Sequence, residues 1–420
     1  EPRDGVFLTC KNTVRIDEEI EVNRSIIEKA CGLYEHLLEY VAKKKWDGIY
    51  NITKVNAYST KEWYDEEWLD EIIAKCKDVI LHTPIIRNAC GDMKALLDSW
   101  DEQELYIISD RNVATREKIW TLLSYMIPDM IPQKEDLHEW YQSLWSGCNS
   151  YTFERLSEQV SSFATVDTLD AELNQIDWRD WLNKYYEIID ENEKWQTFVQ
   201  HNQLNILPNQ REKFCCVDSL YYDIDILEEY KEILTDLGND IKARLLHLEF
   251  ERSEWFCCEE INNCQILELI ETQLEQGGKE EKETVYQKIT FMYNDSFADI
   301  DSQKKICHYV NSILKLGLEL HAVKAISEKL LRESLKHMTT MVADRISECS
   351  SLEGLAEYMG TSKEEVAEYL AGFIEFVVKH GWDNLINKIT KPILPNQNGN
   401  FTIKENIFLD NEMDETLKDI

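Results

Sequence analysis

Across residues 22–43 the apolar side chains Ile26, Ile27, Ala30, Leu33, Leu37, Leu38 and Val41 recur at three- and four-residue intervals, the spacing of a helix. The same spacing predicts a helix over 61–76, with Trp63, Trp68, Ile72, Ile73 and Cys76 turned inward, and another over 115–123, closed by Pro128 and Pro132. Residues 134–200 read as further helices rich in Trp and Tyr. Helical spacing continues over 245–274 and 285–344, where Ile313, Leu314, Leu316 and Leu318 near Leu320 mark a deeply buried stretch, and 351–380 read as a helical pair. Short extended runs interrupt this pattern. Residues 5–9 read as a strand, and the runs 80–86 and 105–108 flank a turn at 88–92, which makes them a diverged hairpin. The expected class is mainly α with small β-hairpins, an α+β helical array of more than one domain.

One phrase occurs twice. Ile206-Leu207-Pro208-Asn209-Gln210 with Phe214 returns as Ile393-Leu394-Pro395-Asn396-Gln397 with Phe401, 187 positions later. At that offset Trp195 matches Trp382, and Asp223, Glu228, Lys231 and Ile233 match Asp410, Glu415, Lys418 and Ile420. In the second copy Asn398-Gly399 lies between apolar runs, the signal of a two-residue hairpin loop. That loop would oppose Asn396 to Phe401 and Leu394 to Ile403 on one buried face, with Leu207, Asn209, Phe214 and Cys216 as counterparts. Arg211-Glu212 cannot take the same tight turn cheaply, so a longer or differently shaped loop is expected there. Pro208 and Pro395 each remove a ladder donor and predict edge strands. Asp223 and Asp410 read as caps of a following helix, giving a duplicated hairpin-plus-helix unit. Asn209, Gln210, Asn396 and Gln397 are expected to bond the turn and nearby backbone, with Phe214 and Phe401 as equivalent core residues.

At 420 residues the chain exceeds what one core serves. Gly277-Gly278 ahead of a charge run makes the best linker, so three domains are expected: 1–147 with the diverged hairpin, 148–276 with the first unit, and 277–420 with the second. The formal net charge of −35 repels phosphate backbones and anionic membrane surfaces, so direct nucleic-acid and membrane partners are not expected. Twelve dilute cysteines, with adjacent pairs at Cys215-Cys216 and Cys257-Cys258, point to reduced thiols and a cytoplasmic protein. No apolar run spans a bilayer and no signal peptide opens the chain. It starts at Glu1 without methionine, as a segment of a longer protein would.

Residues 355–366 have the layout of a helix-turn-helix, with Gly360 in the turn and Ser362 and Glu365 as a capping box. The helix after the turn carries Lys363, Glu364, Glu365, Glu368 and Glu375, whereas major-groove helices approach phosphates with Arg and Lys. A structural helical hairpin is the expectation, and a nucleic-acid sensor at 355–377 the alternative. No Cys-x-x-Cys, His-Glu-x-x-His, phosphate loop or Gly-x-Ser-x-Gly elbow occurs. Asp177, Asp180, Asp190 and Glu191 lie among tryptophans in a manner that imitates a glycosidase cleft. No catalytic, metal or cofactor residue is assigned, and an enzyme with an unrecognised helical active site stays as the other alternative.

The repeated Leu-Pro-Asn-Gln phrase with its Phe, the Asp after it and the Trp eleven residues before the preceding Ile resemble sacsin-like proteins and their large bacterial relatives. The resemblance covers 163–233 and 351–420, and the first 130 residues loosely. It implies a helical region downstream of a GHKL-type ATP-binding domain, acting as a chaperone-like or antiviral-defence scaffold that contacts other protein domains or chains, an upstream ATP-binding domain among them. The family's Asp-x-Gly-x-Gly lid is missing, and Glu19 to Asn23 fits its Glu-x-x-x-Asn helix without that context, so no nucleotide site is carried over.

Overall fold

The computed structural model describes residues 17–55, 66–100, 102–145, 148–251, 253, 255–256, 258–293, 300–323, 326–380 and 392–407. They contain fifteen α-helices and six two-stranded sheets, so the fold is mainly α with small β elements. The run 5–9, Trp382 and the segment after the second hairpin that holds Asp410 lie outside the described residues. No described helix is long and apolar enough to cross a membrane.

Two compact units replace the three expected domains: residues 1–220 with 246–258, and residues 221–245 with 259–420. The Gly277-Gly278 boundary fails for a physical reason. Ile270 and Leu274 before it and Val285 and Ile289 after it pack into one buried cluster, so the glycines join two helices of a single core.

The first unit opens with α1 (Asp17–Lys44) and α2 (Glu66–His82), followed by the hairpin β1 (Ile86–Arg87) and β2 (Met93–Lys94). Then come β3 (Ile107–Ile108), α3 (Val113–Met126), α4 (Leu137–Ser143), β4 (Ser150–Tyr151) and α5 (Phe153–Ser162). Three helices, α6 (Val166–Asp170), α7 (Trp178–Asp190) and α8 (Glu193–His201), lead to the hairpin β5 (Leu207–Pro208) and β6 (Phe214–Cys215). Helix starts are set by side chains: Asn112, Thr152, Asp177 and Asn192 each accept a hydrogen bond from an amide in the first turn of α3, α5, α7 and α8.

The second unit contains β7 (Tyr221–Ile224), α9 (Glu228–Asp236), β8 (Glu259–Asn262), α10 (Asn263–Gln276) and α11 (Lys279–Thr290). It continues with β9 (Met292–Tyr293), α12 (Ile300–Leu314), β10 (His321–Ala322), α13 (Glu328–Glu348), α14 (Leu352–Met359) and α15 (Lys363–Lys379), and ends in the hairpin β11 (Leu394–Pro395) and β12 (Phe401–Thr402). Two helical expectations need correction. The described residues between 245 and 258 are not helical, and residues 259–262 pair in parallel with β7 as β8, so helix starts only at Asn263. The apolar run near Leu320 leaves helix at Leu314; Asn311 holds the irregular segment that follows by bonding both the amide and the carbonyl of Leu318.

Three parallel two-stranded pairs, β3 with β4, β7 with β8 and β9 with β10, had no counterpart among the expected elements. Each strand of two or four residues is too short to show a period, and each pair is closed by a long helical crossover. In the first two pairs the partner strand runs into a capping residue, Thr152 just after β4 and Asn262 at the end of β8, so Ile108 and Asp223 occupy the same register position. Eight residues further on, Arg116 and Lys231 are both buried cations on the helix that follows, 2 % and 3 % exposed.

Asp223 does not cap α9, whose N-cap is Leu227. It sits in β7, where one carboxylate oxygen accepts the Ile226 amide at 2.8 Å and the other meets Lys231 Nζ at 2.6 Å, with both side chains buried. Glu228 Oε2 lies 3.8 Å from the same ammonium. The matched Asp and Lys of the sequence repeat are therefore a buried ion pair in the first copy, with the matched Glu at its exposed rim. Arg116 lacks a carboxylate at that register; it donates to the Asp110 carbonyl and stacks 4.1 Å over Tyr141.

Removing one member of a buried ion pair strands the other. Lys231→Met is expected to lower unfolding free energy by about 3–5 kcal/mol, and Lys231→Met with Asp223→Asn to recover most of it. Urea denaturation followed by tryptophan fluorescence measures both; equal losses in the single and double variants would refute the pairing.

Candidate functional site

The repeated phrase folds as two hairpins of one geometry. Leu207 faces Cys215 and Pro208 faces Phe214; Leu394 faces Thr402 and Pro395 faces Phe401, residue for residue. The register differs by one position from that of a two-residue loop. Asn396 and Asn400 form the last bonded pair, Gly399 N donates to Asn396 O at 2.9 Å, and Gly399 takes φ +80°. This is a three-residue loop with its left-handed position at Gly399. The first copy makes the same loop, not a longer one: Asn209 N donates to Lys213 O and Glu212 N to Asn209 O, both at 2.9 Å, with Glu212 at φ +57°.

An asparagine holds each turn. Asn209 Oδ1 accepts the amides of Arg211 and Lys213 at 2.9 and 3.0 Å, and Asn396 Oδ1 accepts those of Asn398 and Asn400 at 3.0 Å. The diverged hairpin is a third example with other strands than expected. Ile86 pairs with Lys94 and Arg87 with Met93, while Ile107-Ile108 go to the parallel pair. Asn88 Oδ1 accepts Asp92 N at 2.8 Å and Gly91 takes φ +94°.

The remaining repeat residues are structural. Phe214 and Phe401 are each 7 % exposed, and Phe401 joins the core cluster with Ile393 and Phe373. Trp195 is 2 % exposed on α8, its ring 4.8 Å from Phe153. Leu207, Pro208 and Asn209 are buried, Leu394 is half-buried, and Asn396 and Gln397 are exposed. Gln210 donates to the Leu246 carbonyl at 3.4 Å. Pro208 is not at an edge: its strand bridges to Leu246 on the side away from β6, and its carbonyl accepts His247 N at 2.9 Å. The proline ring faces that side, where its missing N–H breaks no bond to β6.

The repeat also extends further back than the phrase. Ala164 O and Ser350 O accept the amides of Phe214 and Phe401, while Val166 and Leu352 donate to Glu212 O and Gly399 O. Between them Thr165 and Ser351 bridge the return strand and cap α6 and α14. Leu169 and Leu355, four residues beyond each cap, are fully buried.

The catalytic alternatives find little geometry. Asp177 caps the start of α7 and Asp190 ends it, about 20 Å apart at 1.5 Å per residue, too far for a glycosidase pair. Asp177 also meets Arg179 at 3.2 Å, Glu191 meets Lys118 at 2.6 Å, and Asp190 accepts the Ser253 hydroxyl. A cavity of about 270 Å³ is lined by Ile107, Tyr141, Trp145, Ser109, Ser150 and Cys148. Burial pushes the Cys148 thiol up to about 12, so it is a neutral thiol at pH 7. Among the described residues no group of three or more His, Cys, Asp or Glu could hold a metal ion. In α14 and α15, Gly360 takes φ +70° and Ser362 and Glu365 form the reciprocal capping box. The apolar faces of both helices enter the core, leaving Lys363, Glu364, Glu365, Glu368 and Glu375 exposed.

Among the described residues, α1 carries an apolar stripe that packing leaves uncovered. On α1, Tyr34, Leu38 and Val41 face the core, and Tyr34 donates to Ile52 O at 2.8 Å. The adjoining face carries Val22, Leu33, Leu37 and Tyr40, which are 51 %, 69 %, 42 % and 49 % exposed. At 3.6 residues per turn these four lie within about 60° of one another. Trp46, 50 % exposed, extends the stripe with its ring edge-on to Tyr40 at 5.6 Å. The spacing shows that the apolar positions of α1 cover more of its circumference than one buried face requires, but not which of them stay uncovered.

No protein-family model, curated protein or solved structure matches the chain.

The shared loop yields a paired prediction. Gly399→Ala is expected to destabilise its unit by about 1–2 kcal/mol, the cost of a Cβ in left-handed backbone, because the new Cβ meets its nearest neighbour, Lys363 Nζ, at an ordinary 3.6 Å. Glu212→Gly relieves the same conformation and is expected to stabilise by about 0.5–1 kcal/mol after the entropy of the added glycine. Thermal unfolding of both variants tests this; destabilisation by Glu212→Gly would refute it.

Proposed function

We propose that this chain is a non-catalytic docking scaffold of a cytoplasmic, sacsin-like protein, and that the exposed face of α1 is its contact surface for another protein chain. The observation that supports this reading is the stripe of Val22, Leu33, Leu37, Tyr40 and Trp46, apolar area that leaving water would stabilise. The resemblance of the repeated phrase to the helical regions of sacsin-like proteins supports reading such contact as downstream of an ATP-binding domain, in a chaperone-like or defence setting.

Charge selects the occupant. α1 begins Asp-Glu-Glu-Ile-Glu and ends in Lys43 and Lys44, with Lys45 next, an order that also suits its own dipole. A helix running antiparallel with the same order is complementary at both ends, and α1 of a second copy is such a helix. Centred on Leu33, that pairing sets Ile26 against Tyr40, Val22 against Lys44 and Glu21 against Lys45 of the other copy. The net charge of −35 opposes association at long range, so the contact is expected to be weak at low salt and firmer once that repulsion is screened.

The test is the oligomeric state by light scattering after gel filtration. A monomer–dimer equilibrium in the micromolar range is expected, with Leu33→Glu and Leu37→Glu giving monomer without loss of helix. A monomer throughout that range at moderate salt, or a dimer indifferent to both substitutions, would overturn the assignment.

A further inference from the structure

On the opposite side of α1 from the exposed stripe, Cys31 reaches toward α2, and the Cys76 thiol there contacts it at an Sγ–Sγ distance of 3.9 Å. The residues are 45 positions apart in sequence and belong to different helices, so tertiary packing has brought the two sulfurs into contact. All ten described cysteines are free thiols, and exposed Cys90 and Cys264 provide internal standards for reactivity. Tyr34, one turn beyond Cys31, is tied to the Ile52 carbonyl and lies close enough to Cys76 to feel its charge.

We propose that Cys31 and Cys76 form a reversible dithiol–disulfide site whose co-substrate is a low-molecular-weight disulfide such as oxidised glutathione. One Cys sulfur, as thiolate, attacks a sulfur of the small disulfide, forming a mixed disulfide and expelling one glutathione thiolate, which takes up the proton released. The second Cys sulfur, deprotonated in turn, attacks the mixed disulfide, closes the Cys31–Cys76 bond and expels the second glutathione. Two protein thiols are oxidised and one small disulfide is reduced to two thiols. Side-chain rotation and a small approach of the helices must bring the sulfurs from 3.9 Å to the roughly 2.05 Å of a disulfide. Both cysteines are half-buried, so the site is open to a small disulfide yet protected from bulky partners.

Burial and the neighbouring sulfur push the Cys76 thiol up to about 11. Exchange is therefore slow at neutral pH and accelerates as the pH rises, whereas the proximity of the second sulfur favours ring closure over a lasting mixed disulfide. The bond would fasten α1 to α2 covalently. The proposal stands on the sulfur contact and does not depend on what docks against α1.

The full 420-residue chain is incubated with oxidised glutathione at mildly alkaline pH, free thiols are blocked with N-ethylmaleimide, and peptides are mapped before and after reduction. The expected result is joint loss of the Cys31 and Cys76 thiols in equal amounts, as one internal link lacking two hydrogen atoms and restored by dithiothreitol. Cys90 and Cys264 stay free or carry glutathione singly. In Cys31→Ser, Cys76 is expected to end as the glutathione adduct, which shows that closure needs both sulfurs. The proposal is overturned if both thiols stay fully blockable, if each carries glutathione in the unsubstituted chain, or if either links elsewhere.

Discussion

The hairpins depend on one side-chain oxygen. A free hairpin of two-residue strands has almost no ladder to hold its register, and a slip of one residue would turn Phe214 or Phe401 out of the core. Asn209 and Asn396 prevent this by each accepting one amide within the loop and one from the residue just after it, which fixes the loop at three residues and hence the facing pairs. The return strand then presents the loop carbonyl and the Phe amide to the segment that starts α6 or α14. In this way one local turn orients a helix more than forty residues away in sequence.

The three hairpins show how much variation that constraint tolerates. Gly91 and Gly399 fit the left-handed position freely, and Glu212 takes it under strain, so the Asn clamp and the bridges around it outweigh a cost of about 1–2 kcal/mol. Asn88 and Asn209 are 1 % and 2 % exposed because bridges to Pro132 and Leu246 cover their strands; Asn396 is exposed, and no such bridge to it occurs among the described residues. Burial is thus set by what lies beside the turn, while the turn itself stays constant. The parallel pairs vary in the same way: a buried cation is kept at Arg116 and Lys231, but its counter-charge is a carbonyl and an aromatic face in one case and a carboxylate in the other.

α1 stands apart from this economy of buried groups. It packs one side with Leu38 and Val41, brings Cys31 against Cys76 there, and leaves a second apolar side in water. The proposed docking role and the proposed thiol site use opposite faces of the same helix. A covalent tie to α2 would hold the helix without covering its exposed stripe.

The sequence by itself determined the helical class, the helical hairpin at Gly360 and Ser362, and the duplicated phrase, because these rest on local spacing and on residues identical in type. It also carried the Asp223, Glu228 and Lys231 match, but with the Asp as a cap; only the fold shows Asp223 and Lys231 as a buried ion pair with the exposed Glu228 beside it. The earlier reach of the repeat was hidden because Thr165 and Ser351 are 186 positions apart while Asn209 and Asn396 are 187 apart, so an ungapped comparison breaks between them. Tertiary structure alone decided the parallel strand pairs, the two-unit division across Gly277-Gly278 and the exposure of Leu33. Each depends on contacts between residues far apart in the chain, and a two-residue strand or an apolar helix face carries no mark of the partner that covers it or fails to.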